Sequence, residues 1–145
     1  MFMKVLVLNG PNLGRLDIRD SSIYGDMTYP NLVNHIESAA KSHGFEADVR
    51  QSNDEAEIIG WLHEAADTNT PVIINPAAFT HYSYAIRDAA ELEKAPLIEV
   101  HLSNPLAREE FRHTSVISGV ANGTIGGFGP NSYVLALIAL KALIS

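Results

Sequence analysis

A chain of 145 residues with 46% hydrophobic and 19% charged residues is long enough for one domain with a sizeable core and too apolar to remain disordered. Ten basic residues against seventeen acidic ones give a net charge of −7, and the basic residues are scattered. This excludes a nucleic-acid binder that works by neutralising phosphates, and the absence of cysteine excludes disulfides and thiolate metal sites.

Lys4 to Leu8 is a short aliphatic, β-branched run closed by Asn9-Gly10-Pro11-Asn12, the pattern of a buried first strand entering a loop. The turn comes before an apolar stretch of signal-peptide length can form, so a cytoplasmic protein is expected. Residues 13–27 hold Gly14, Gly25, three aspartates and two arginines without a sustained period and read as a long loop, a candidate lid. Thr28 is placed to cap a first helix whose Leu32, Val33, Ile36, Ala39 and Ala40 recur at helical spacing up to Gly44. Glu46 to Ser52 alternates like an edge strand. A second helix from Asp54 carries Ile58, Ile59, Leu62 and Ala65 on one stripe, with Trp61 as a packing residue.

Pro71 to Pro76 reads as the third strand, ending in Asn75, and a third helix runs from about Ser83 to Glu93. Leu97 to Asn104 is the fourth strand. Period two places Glu99 and His101 on one face and Ile98, Val100 and Leu102 on the other, so a carboxylate sits beside an imidazole. A helical turn is expected over Ala107 to Phe111, a fifth strand over Ser115 to Val120 and a glycine-rich loop over Asn122 to Gly129. Pro130 opens a last helix that reaches Ile144, carries Lys141 and is far shorter than the ~20 residues of a membrane span. Strand and helix alternate five times. That implies one α/β domain over 1–145 with a parallel sheet, order 2-1-3-4-5, in the flavodoxin-like manner. The polar ends of strands one, three and four then converge on one rim.

No Gly-x-Ser-x-Gly elbow and no His-Glu-x-x-His pair is present, so a serine hydrolase is set aside and no metal is expected. The cluster of Gly123, Gly126, Gly127 and Gly129 matches no nucleotide-binding pattern and reads as a tight loop. A proton-transfer site remains: Glu99 would fix the tautomer of His101 as general acid or base, although a purely structural pair fits the same residues. In the lid, Arg19 precedes Tyr24 by five residues. A guanidinium within about 4 Å of the phenol would lower its pKa from about 10 and make Tyr24 a candidate base.

Asn9-Gly10-Pro11-Asn12-Leu13, Arg19 with Tyr24-Gly25, Arg50-Gln51-Ser52-Asn53, Ile74 to His81, Glu99 to Pro105 and Arg108 to Arg112 together resemble the type II 3-dehydroquinate dehydratase family, in the family's order and over nearly the whole chain. The resemblance implies anti elimination of water from 3-dehydroquinate to 3-dehydroshikimate through an enolate, without cofactor or metal, in aromatic (shikimate) biosynthesis or quinate breakdown. By position it implies Tyr24 as the base with Arg19 lowering its pKa, Asn12 holding a water against the enolate, and His101, held by Glu99, as proton donor. It implies substrate contacts from Asn75, His81, Arg112, Leu102 and Ser103, with Asp88 reaching in from a neighbouring subunit of a dodecamer built from trimers. On the residues alone, Asn75 and Arg112 equally fit loop bracing and His81 a helix cap; His35, His43, His63 and His113 read as solvated or structural.

The sequence departs from the family pattern at Gly14-Arg15 and Asp17 in the lid, and at Asp54 and Ala56 after strand two. Two other classes fit the fold: a flavin-binding electron carrier, opposed by the rigid Pro11 where a phosphate loop would lie, and a silent interaction module, opposed by the retention of Tyr24, Arg19 and His101.

Overall fold

The computed structural model describes residues 2–24 and 26–145, the side chain of Tyr24 excepted. Five parallel strands form one sheet in the order β2-β1-β3-β4-β5: β1 (Met3–Asn9), β2 (Phe45–Gln51), β3 (Val72–Asn75), β4 (Leu97–His101) and β5 (Gly123–Gly126). Helices α2 (Tyr29–Ser42), α3 (Glu55–Thr68), α4 (Tyr84–Glu91) and α5 (Asn131–Ile144) cover both faces, and a four-residue α1 (Ser21–Tyr24) lies in the predicted lid. Strand order and helix positions are those the alternation predicts.

Period two explains the layers. Val5, Val7, Ile73, Ile98 and Val100 point to one face, where Leu32, Ile36 and Ala40 of α2 and Tyr133, Ala136, Leu137 and Leu140 of α5 cover them. Leu6, Leu8, Val72, Ile74 and Leu97 point to the other, under Ile58, Leu62 and Ala65 of α3 and Ile86, Ala89 and Ala90 of α4. Strands buried on both faces read as continuous apolar runs because neither face meets water. The caps follow the sequence: Thr28 Oγ1 accepts the Asn31 N–H, Asp54 Oδ1 that of Ala56, and Ser83 Oγ that of Ile86.

Three expectations require correction. Ser115 to Val120 is no strand, and β5 is formed within the segment read as a glycine-rich loop. Ser115 Oγ accepts the N–H groups of Ile117 and Ser118, both at 3.0 Å, and curls the backbone despite its β-branched composition. Val116 instead bonds sideways, its N–H to the Thr80 carbonyl and its own carbonyl to Arg87. Gly126 pairs with His101, and a Cβ there would lie 3.2 Å from the Ser103 carbonyl oxygen, so glycine lets this strand run close under the rim. The predicted loop 13–27 also holds local structure. Leu13 and Leu16, 2% and 3% exposed, anchor a 3-10 helix (Leu13–Ile18) in the core, and Asp20 accepts the N–H of Ser22 at the start of α1. The single turn expected at Ala107 to Phe111 is two 3-10 turns, Pro105–Ala107 and Glu110–His113, because Arg108 is extended between them.

One titration is set by the packing of the α4–β4 connection. Both carboxylate oxygens of Glu93 are buried without a hydrogen-bond partner among the described residues, and burial pushes the carboxyl up to about 7. The folded chain therefore holds this proton more tightly than the unfolded one, where the value is near 4.5. Stability falls as pH rises between those values. Glu93→Gln is expected to flatten this part of a plot of Tm against pH, and an unaltered slope would contradict the assignment.

Candidate active site

The carboxyl ends of β1, β3 and β4 build the floor. Tyr133 of α5, fully buried, donates to Asn9 Oδ1 at 2.6 Å and accepts from Asn75 Nδ2 at 2.9 Å; burial holds its phenol far above the usual range, so it acts as a neutral hydroxyl. Asn75 Oδ1 in turn accepts the Ala77 N–H at 3.1 Å. Ala77 (φ 53) and Asn12 (φ 70) both hold left-handed backbone, which costs a non-glycine residue on the order of 1 kcal/mol and persists only where neighbours enforce it. For Asn12 the enforcement comes from the end of β2: Asn53 Oδ1 accepts the Asn12 N–H at 3.0 Å, and Gln51 Nε2 donates to the Gly10 carbonyl and to Asn53.

On β4, Glu99 is wholly buried and His101 is 9% exposed, with His101 Nε2 2.5 Å from Glu99 Oε2. That contact fixes the tautomer, with Nε2–H donating to the carboxylate. Three hydroxyls add to it: Thr80 at 2.5 Å, Ser118 at 2.6 Å and Ser115 at 3.0 Å. Burial alone would push the Glu99 carboxyl up. The hydrogen bond and charge of His101, with the Ser118 and Thr80 hydroxyls, outweigh it and hold the carboxyl below its ordinary value.

One cavity over this rim brings together Asn12, Arg19, Asn75, His81, His101, Leu102, Ser103 and Arg112. Glu99 lies beneath His101 and lines the adjoining cavity. Asp88 sits exposed on α4 and does not line the first cavity. The side chain of Tyr24, the predicted base, lies outside the described residues. His81 Nδ1 is 2.8 Å from the Thr114 carbonyl and its ring meets Phe111 edge-on. The helix-cap alternative for His81 does not hold, since Ser83 occupies the cap. Arg112 stacks on Phe111 and bonds Glu109.

The sequence profile of the family described as Dehydroquinase class II matches residues 3–141. The chain belongs to this family. It is 55% identical over 140 residues to a 3-dehydroquinate dehydratase of Salinispora tropica, covering 97% of this chain and 98% of the relative. It is likewise 55% identical over 135 residues to one of Mycobacteroides abscessus, covering 93% and 94%. The crystal structure of a type II dehydroquinase from Propionibacterium acnes superposes with a TM-score of 0.94 at 49% identity over 98% of this chain and 99% of that one.

As a class II dehydroquinase the chain has features that motif reading passes over. Arg108 lines the cavity and its Nη1 donates to Ser103 Oγ at 3.2 Å, so three arginines, 19, 108 and 112, face an otherwise acidic protein's pocket. Its spacing from Arg112 carried no signal, since Arg108 is extended between two separate 3-10 turns. Thr80, Ser115 and Ser118 gave no signal, because hydroxyls matter here only for where the fold delivers them. The two lid departures answer one another: Arg15 Nε lies 3.1 Å and Nη2 3.4 Å from the Asp17 carboxylate, so the extra charges of this dehydroquinase pair locally.

Proposed function

We infer that this protein is a type II 3-dehydroquinate dehydratase, converting 3-dehydroquinate to 3-dehydroshikimate by anti elimination of water through an enolate. The observation that carries the reading is the cavity itself: a carboxylate-held imidazole on the β4 wall, with Arg19 and Asn12 contributed by the segment after β1. Tyr24 as tyrosinate removes the proton next to the ketone, and Arg19, five residues earlier in the chain and lining the cavity, supplies the positive charge that favours an ionised phenol. The electron pair moves to the ketone oxygen, where Asn12 orients a water against the developing charge. Collapse of the enolate expels the β-hydroxyl, which His101 protonates, so the proton count closes with release of one water. Glu99, bound at Nε2, fixes the ring throughout. Neutral donors at Leu102 and Ser103, with Arg108 behind Ser103, suit the substrate carboxylate, and Asn75, His81 and Arg112 suit its hydroxyls.

In this reading residues 1–145 form one catalytic domain with 13–27 as its lid, the enzyme is cytoplasmic, and it serves the shikimate pathway to aromatic amino acids or quinate breakdown. Asp88, exposed on α4, then reaches the substrate of a neighbouring copy within a dodecamer of trimers. The exposed Tyr82 and Tyr84, at the start of the helix that carries Asp88, support an assembled state, which the mass in solution tests. No described helix is long and apolar enough to cross a membrane.

The direct test mixes the protein with 3-dehydroquinate and follows the enone absorbance of the product; no signal from the wild-type chain overturns the proposal. Arg112→Ala is expected to raise KM by roughly 10- to 100-fold, the worth of a charged hydrogen bond, with kcat changed much less. A fall confined to kcat would mean that Arg112 acts on the reacting atoms.

A further inference from the structure

Among the described residues Glu99 has four side-chain hydrogen-bond partners: the His101 imidazole and the hydroxyls of Thr80, Ser115 and Ser118. A carboxylate offers about four lone-pair positions and no proton. For Ser115 and Ser118 the other contacts orient the hydroxyl. Ser115 Oγ already accepts the N–H groups of Ile117 and Ser118, so its one hydrogen is directed at Glu99. Ser118 Oγ accepts from Thr124 and donates to Glu99 Oε1. Thr80 Oγ1 lies 2.5 Å from its acceptor Glu99 Oε2 and shares a second hydrogen bond of 2.7 Å with Ser115 Oγ, in which either hydroxyl can donate. A protonated Glu99 would give up one of these acceptor positions and compete with the donors already directed at it.

The loop that delivers two of these hydroxyls is itself tied down. Arg87 of α4 donates to the Val116 carbonyl at 2.6 Å, and the Val116 N–H bonds the Thr80 carbonyl at 2.7 Å. The segment from Ser115 to Val120 thus closes over Glu99 as a bracket between α4, β5 and the turn after β3. The titratable group hydrogen-bonded to Glu99 is His101; His81, Arg112 and His113 line the cavity on which Glu99 borders.

We propose that Thr80, Ser115 and Ser118 are positioning residues that keep Glu99 an acceptor-only anion, so that the His101 ring keeps one tautomer and one orientation across the working pH range. The inference rests on the reading of His101 as proton donor, and it adds that the acid edge of activity is set by three hydroxyls which never touch the substrate. The sign follows from the held-down carboxyl. Its contribution is present above the ordinary carboxylate range and is lost as pH falls through the folded value. Removing one donor raises that value and brings the loss nearer neutrality.

The test uses the full chain with Ser118→Ala, the near-isosteric Thr80→Val, and Ser118→Thr as the variant that keeps the hydroxyl. Carbon-13 NMR of the Glu99 carboxyl in the substrate-free protein is expected to show its titration moved up by about one pH unit in each of the first two variants. Ser118→Thr is expected to stay with the wild type. The acid limb of kcat/KM moves up by the same amount in the same two variants, with the plateau above it within about threefold of wild type. An unmoved Glu99 titration in both variants overturns the proposal, as does a loss of activity equal at every pH. The carboxyl titration needs no turnover. A wild-type chain inactive on 3-dehydroquinate would therefore sink the enzymatic reading while leaving this measurement to decide the role of the hydroxyls.

Discussion

His101→Ala is expected to lower kcat by a factor of about 10²–10⁴ with KM changed far less, the range spanned by loss of a positioned general acid. Hydroxide is a poor leaving group, so expulsion of the β-hydroxyl from the enolate needs a proton delivered in that step. The imidazole lines the cavity with its orientation fixed: Nε2 is bound to Glu99, and Nδ1 has no partner among the described residues. Alanine leaves Glu99 with three hydroxyl partners, so the anion remains solvated by the protein and the fold is retained. Steady-state rates from the enone absorbance, with Tm as a check on folding, decide the matter. A variant within tenfold of wild-type kcat would show that the proton reaches the leaving group by another route.

Gly10→Ala carries the largest expected cost to the architecture. A Cβ at residue 10 would lie 2.5 Å from the Pro76 carbonyl oxygen, 2.8 Å from its carbon and 3.2 Å from the Asn75 oxygen. All three are backbone atoms, so no rotamer change relieves the clash, and the Gly10 N–H to Asn75 carbonyl bond of 2.8 Å must stretch. The expected destabilisation is about 1–3 kcal/mol, seen as a fall in Tm of several degrees. Activity falls as well, because the loops after β1 and β3 separate and carry Asn12 and Asn75 apart. Unchanged Tm and unchanged kcat together would mean that the two loops do not meet as described.

Much of the framework could be read from the residues. The aliphatic runs at Lys4 to Leu8, Val72 to Ile74 and Leu97 to Val100 are strands because both faces are buried, and burial on both faces leaves a plain signature. Glu99 and His101 could be paired in advance because period two is a property of the strand alone. Ser115 to Val120 misled for the opposite reason. Its β-branched residues fit a strand, yet the Ser115 hydroxyl reaches two backbone N–H groups and Val116 bonds elements distant in sequence. Arg108 carried no signal because it is itself the extended residue between two 3-10 turns, and from there its guanidinium meets Ser103, a contact that no spacing encodes. Residues 13–27 looked structureless because the helical pieces there are too short for a period to show.

Asn12 and Ala77 were described above as two left-handed residues braced by β2 and by Asn75. Both line the cavity, so part of its outline is cast in main chain rather than in exchangeable side chains. Drift or engineering can therefore alter His81, Arg108 and Arg112 one at a time and retune what the pocket accepts. The backbone part of the cavity wall would survive each such change.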